Sequence, residues 1–95
     1  MRAYEVMYIL RPDLEEEATK ELIEKFSAVI TAHGGEGLKV SVWGKRRLAY
    51  EIEKLNEGYY VLLNFNGKAE TVAELERIMR ISENVIRFMT VKEEE

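Results

Sequence analysis

The period of the hydrophobic pattern switches between two and 3.6 several times along this chain, and the order of those switches constrains the fold more than any other feature. Residues 2–10 (RAYEVMYIL) are rich in aromatic and β-branched side chains and predict a strand that Pro12 ends. Asp13 is expected to cap a helix near 14–33, with Glu16 three residues on completing a capping box. Leu22, Phe26, Val29, Ile30 and His33 follow at helical spacing, and Gly34-Gly35 supplies a left-handed stop. From 36 to 53 the pattern is extended again, with Val40, Val42, Leu48, Tyr50 and Ile52 in alternation and Gly44 marking a bulge or bend. Asn56-Glu57-Gly58 is expected to turn the chain into a returning strand at 58–66, closed by Asn66-Gly67. Val72, Leu75, Ile78 and Met79 predict a second helix near 69–81, and Ser82-Glu83-Asn84 separates it from a last strand at 85–92.

The order is therefore β-α-β-β-α-β. Each β-α-β crossover is right-handed by strong preference, so the strands interleave into a four-stranded antiparallel sheet with both helices on one face. That is an α+β, ferredoxin-like sandwich. With 95 residues there is sequence for one core only, expected to span 1–92 and to be followed by a short acidic tail at 93–95.

Helices on one side leave the other side of the sheet open, and strand parity decides what that side displays. Tyr4, Val6, Tyr8 and Leu10 form the more consistent core row of the first strand, and Val61, Leu63 and Phe65 that of the third. In the fourth strand Ile86, Phe88 and Thr90 are placed inward. Met7, Ile9, Leu62, Met89 and Val91 then make an apolar strip on the uncovered face, the kind of patch that receives a partner protein. The bland reading of the same residues is a scatter of half-covered side chains.

Most enzyme chemistry lacks its residues here. The chain has no cysteine and one histidine, His33, whose place at the end of a helix suits a cap better than catalysis. No serine sits in a nucleophile-elbow sequence. The first strand-to-helix turn, Leu10-Arg11-Pro12-Asp13, has no glycine and carries an acid, so it does not cradle phosphate. Gly58-Tyr59-Tyr60 departs from the aromatic signature of an RNA-stacking sheet, since Glu57 stands where a base precedes the glycine. No apolar run is long enough for a membrane span, and the first residues are not those of a signal peptide. The expectation is a cytoplasmic binding protein with no catalytic residues, metal, cofactor or small-molecule substrate.

The formal net charge is −4, which by itself disfavours a nucleic-acid binder, but the charge is unevenly spread. Lys39, Lys45, Arg46 and Arg47 lie in a stretch from 39 to 48 that contains no acid. Three consecutive cations after Gly44 suit phosphate contact. They also suit protection of an exposed edge against sheet-to-sheet aggregation.

The blocks Met1–Ile9 with Arg11-Pro12, Trp43-Gly44-Lys45-Arg46-Arg47-Leu48-Ala49-Tyr50-Glu51-Ile52, Gly58-Tyr59-Tyr60, and Val85-Ile86-Arg87 up to Val91-Lys92 together resemble the family of bacterial small-subunit ribosomal protein number six. The resemblance runs from Met1 to the acidic tail, and the Trp43 block is its most specific part. It implies a structural component of the small ribosomal subunit. Such a component binds the central domain of small-subunit ribosomal RNA as a heterodimer with small-subunit ribosomal protein number eighteen. On that footing Arg2, Lys45, Arg46, Arg47, Arg87 and Lys92 are the expected RNA contacts, positioning phosphates more than reading bases. Met7, Ile9, Leu62, Met89 and Val91 are the expected protein contacts. A competing reading is a small ferredoxin-like regulatory or ligand-binding module that homodimerises through its sheet.

Overall fold

The computed structural model describes residues 1–93, so of the expected acidic tail only Glu93 lies within the described residues. The elements are β1 (Arg2–Leu10), α1 (Glu16–Ala32), β2 (Glu36–Ile52), β3 (Leu55–Gly67), α2 (Ala69–Ile81) and β4 (Val85–Lys92). The four strands form one antiparallel sheet in the order β2-β3-β1-β4, as two interleaved crossovers require. Both helices pack on the same face. The buried row Tyr4, Val6, Tyr8 and Leu10 of β1, with Val61, Leu63 and Phe65 of β3, meets Phe26 and Ile30 of α1 and Val72, Leu75 and Met79 of α2. Full burial of such side chains stabilises by roughly 1.5–3 kcal/mol each, and Tyr8 adds an edge-on contact with Phe26 at 5.2 Å between ring centroids.

The fourth strand follows the expected parity from Arg87 onward, but a register shift at its start pairs Leu10 with Val85, so Val85 and not Ile86 packs against the core. Phe88 packs against the core, and Thr90 turns inward to donate its hydroxyl to Glu76 Oε2 at 2.7 Å, while Met89 and Val91 are exposed. A polar residue in the inward row is thus satisfied by a carboxylate on α2.

The start of α1 departs from the expectation. Its N-cap is Glu15, not Asp13, and no side chain caps the helix. Asp13 has turned instead toward Arg11, with Oδ1 3.6 Å from Nε. Pro12 keeps the chain in a turn through residues 12–14, and the acids Glu16 and Glu17 then occupy the first helical turn, where the helix dipole favours them. At the other end His33 is the C-cap, its Nδ1 2.9 Å from the Val29 carbonyl, and Gly34 takes φ +84°. The Thr71 hydroxyl donates to the His33 carbonyl at 2.7 Å and so ties the end of α1 to the start of α2.

The β2–β3 hairpin also turns elsewhere than expected. Its reversal is Glu53-Lys54, both with positive φ, between the paired residues Ile52 and Leu55. Gly58 lies within β3, opposite Arg46. A Cβ there would stand 2.2 Å from Ile9 Cγ2 and 3.4 Å from Leu48 Cδ2, so the glycine serves close packing and not the turn. The bulge expected at Gly44 is present: Val42 pairs with Val61 and Gly44 with Tyr60, which leaves Trp43 extra, and Gly44 takes φ +80°.

Candidate functional site

On the helix-free face the register builds three transverse rows. The central row runs Ser41, Leu62, Met7, Met89 across all four strands. On one side of it stand Lys39, Asn64, Glu5 and Val91, and on the other Tyr60, Ile9 and Arg87. Met89 is 55% and Val91 48% exposed, whereas Met7 and Leu62 are half-buried among their neighbours. The structure thus brings together Leu62, Met7 and Met89 as a contiguous apolar row with Val91 beside Met89 along β4.

Ile9 corrects the expectation. It belongs to this face by parity but is only 8% exposed, because Leu48 of β2 lies over the same end of the face and is itself buried. A depression of about 200 Å³ remains between Met7, Ile9, Tyr60, Arg87, Phe88 and Met89.

The expected cations do not form one cluster. Lys45, Arg46 and Arg47 continue as paired β2 after the bulge, opposite Tyr59, Gly58 and Glu57, so they alternate between the two faces of the sheet. All three are exposed. Arg46 is on the helix-free side, its guanidinium carbon 5.2 Å from the centre of the Trp43 ring, which is itself stacked on Tyr60 at 6.5 Å and 11°. Lys45 faces the other way and lines a cavity of about 570 Å³ with Arg11, Lys20, Glu16, Glu24 and Tyr59, between β2 and α1. Arg2 and Lys92 are at the opposite end of the sheet. Lys92 pairs with Tyr4, one diagonal step of about 7–8 Å from Arg2, and by parity both lie on the helix side. Arg87 is five residues, roughly 17 Å along the strand, from Lys92, and it faces the helix-free side opposite Ile9. Its guanidinium is already engaged, donating to the Tyr50 hydroxyl.

Two features of this face escaped the sequence. The Trp43–Tyr60 stack lies on the face where alternation with Val40 and Val42 puts Trp43, and the bulge keeps that extra residue beside Tyr60 by pairing Gly44 with it. A glycine flanked by an aromatic residue within an alternating strand is the signal that could have found it. The Arg87–Tyr50 contact joins opposite edges of the sheet and leaves no local trace.

Charge inside the fold is sparse. Burial foremost, and the neighbouring Tyr59 second, push the Tyr8 phenol above the ordinary tyrosine range. On the surface of α2 the Arg77 guanidinium donates to Glu74 at 2.6 Å and holds that carboxyl below the usual carboxylate range. Among the described residues no three His, Cys, Asp or Glu side chains gather as a metal site, and no helix is long and apolar enough to cross a membrane.

Comparison with known proteins agrees with this geometry. Residues 3–92 match the family model described as "Ribosomal protein S6". The chain is 53% identical over 95 residues to "Small ribosomal subunit protein bS6" of Desulfitobacterium hafniense, covering 100% of both chains. It is 54% identical over 94 residues to the protein of the same name from Carboxydothermus hydrogenoformans, covering 99% of this chain and 98% of that one. Among solved structures, 30S ribosomal protein S6 from Thermotoga maritima superposes with a TM-score of 0.91 at 35% identity, over 97% of this chain and 87% of that one.

Proposed function

Since the chain belongs to the ribosomal protein S6 family, whose members are structural and not catalytic components of the small ribosomal subunit, we propose that it binds small-subunit ribosomal RNA in the cytoplasm as one half of a protein pair. The RNA is the central domain of the small-subunit molecule, and the partner is small-subunit ribosomal protein number eighteen. The observation that carries this reading is the pairing of an apolar row that no helix covers, Leu62–Met7–Met89 with Val91, and an acid-free run of exposed cations on one β2 edge. The row suits a protein surface, and the cations suit phosphates. Lys45, Arg46 and Arg47 reach phosphates from the two faces of the β2 edge, and Arg2 and Lys92 form a second group at the far end of the sheet. Arg87 has the same sign of charge but stands apart from both groups, its guanidinium already engaged by the Tyr50 hydroxyl. A protein whose own net charge is −4 gains the remaining phosphate affinity from a basic partner.

The test is a salt titration of RNA binding in the presence of the partner protein, on wild type and on Lys45→Gln, Arg46→Gln, Arg47→Gln combined. Each lost phosphate contact reduces the slope of log K against log salt by roughly 0.7–0.9, so three lower it by about 2–3. Folding stability is expected to stay within ~0.5 kcal/mol, since exposed charges contribute little. An unchanged slope with greater aggregation of the free protein would assign these cations to edge protection instead. A stable homodimer that ignores both the partner and the RNA would favour a self-associating module.

A further inference from the structure

The outermost strands of a four-stranded sheet stand about 14 Å apart, three spacings of roughly 4.7–4.9 Å. β2 and β4 are those strands here. Yet Arg87 of β4 donates a hydrogen bond to the Tyr50 hydroxyl of β2, and its guanidinium carbon is 6.0 Å from the centre of that ring. β2 has 17 residues, and the longest dimension of the molecule is 37 Å. A straight strand of that length would reach about 56 Å. The far part of β2 therefore bends. Regular pairing with β3 lapses between Arg47 and Ile52, Glu53-Lys54 reverse the chain, and Leu48 is buried beside Ile9 in the space that Gly58 leaves free.

We propose that residues 47–57 form a strap across one end of the helix-free face, latched by Arg87 on Tyr50, and that Arg87 positions the wall of the depression beneath it for the partner protein instead of holding a phosphate. Two of the residues lining that depression are tied to the strap. Ile9 and Leu48 both close on the space that Gly58 leaves free, and Arg87 is held by Tyr50. The depression of about 200 Å³ is floored by Met7, Ile9 and Met89 and fits one large apolar side chain of the partner. A latched strap presents this pocket ready-made, so docking does not have to order it. The docking half of the proposal rests on the partner reading above. The latch itself does not.

Amide exchange on the free full-length protein tests the latch. In Tyr50→Ala and Arg87→Gln, amides of residues 48–56 are expected to exchange roughly 10-fold faster, while those of Val61, Leu63 and Phe65 keep their rates. Tyr50→Phe, which keeps the ring and loses the hydroxyl, falls between. Arg87→Lys separates the two roles: a phosphate contact tolerates an ammonium, whereas the bond to the Tyr50 hydroxyl needs the reach and directed N–H groups of the guanidinium fork. Unchanged exchange across the strap overturns the latch.

Titration with small-subunit ribosomal protein number eighteen then tests docking. Arg87→Lys and Tyr50→Ala are expected to lose roughly 3- to 10-fold in affinity for it, with the salt slope of RNA binding unchanged. Affinity that is unaffected or increased overturns the positioning role. So does a salt slope lowered by about 0.7–0.9 in Arg87→Gln and restored in Arg87→Lys. If wild type binds no such partner, the functional proposal fails, and the exchange data alone still judge the strap.

Discussion

Tyr8 is the core residue whose replacement yields the sharpest expectation. Its side chain is fully buried, and its hydroxyl has no hydrogen-bond partner. A buried hydroxyl left unsatisfied costs about 1–3 kcal/mol. Tyr8→Phe removes that oxygen and keeps the ring, with its edge contact to Phe26. The void left by one oxygen offsets less than the roughly 0.8 kcal/mol of a buried methylene, so the variant is expected to be more stable by about 1 kcal/mol. For a domain of this size the melting temperature rises by about 4–8 °C. The pH dependence has a defined sign. Burial, and secondarily Tyr59, raise the phenol above its ordinary value, which is about 10. The folded chain thus holds the proton more tightly than the unfolded one. Wild-type stability is full below pH ~10 and falls as the pH rises beyond it, by up to about 1.4 kcal/mol per unit. Tyr8→Phe escapes that loss, and the other four tyrosines cancel in the comparison. Urea titrations of both proteins from pH 7 to 11 measure the difference. A phenylalanine variant less stable than wild type at pH 7, or a gap that fails to widen above pH 10, would refute the reasoning by showing that the hydroxyl has a partner.

Gly58→Ala places a Cβ against Ile9 Cγ2 and is expected to destabilise by about 1–3 kcal/mol in denaturant titration, with Leu48 losing its place over Ile9. Thr71→Val strips the His33 carbonyl of its donor and the Lys68 amide of its acceptor. It should cost about 1–3 kcal/mol and raise amide exchange at the α1–α2 junction. Met89→Lys, on a side chain 55% exposed, should change stability by no more than roughly 0.5–1 kcal/mol while weakening heterodimer assembly far more, as measured by calorimetry with the partner.

The element order was legible because each segment's period is a local property. The apolar row was legible for the same reason: Met7, Leu62 and Met89 follow from alternation within their own strands, and register only aligned them. The failures share a cause. Gly58 reads locally as a turn residue, but Ile9, which lies far away in sequence, sets its role. Asp13 reads as a cap, but the neighbouring Arg11 competes for its carboxylate. Ile9 reads as open, but a bend in β2 covers it with Leu48. Likewise the expected cations are alike in sequence, and only the sheet divides them between two ends and two faces.

The central place of β1 has a consequence for how the chain is made. β1 is synthesised before every other element, yet its neighbours in the sheet are β3 and β4, and Tyr4 finds its partner only at Lys92. Closing the sheet therefore spans almost the whole sequence, a topology of high contact order whose folding is slowed by the entropy of such distant closures. At roughly 5–20 residues per second of synthesis, the row Val6, Tyr8 and Leu10 waits for several seconds in a nascent chain that has no β4 to cover one of its edges. During that interval β1 keeps at least one open edge beside its apolar row, the condition that favours aggregation of a nascent chain.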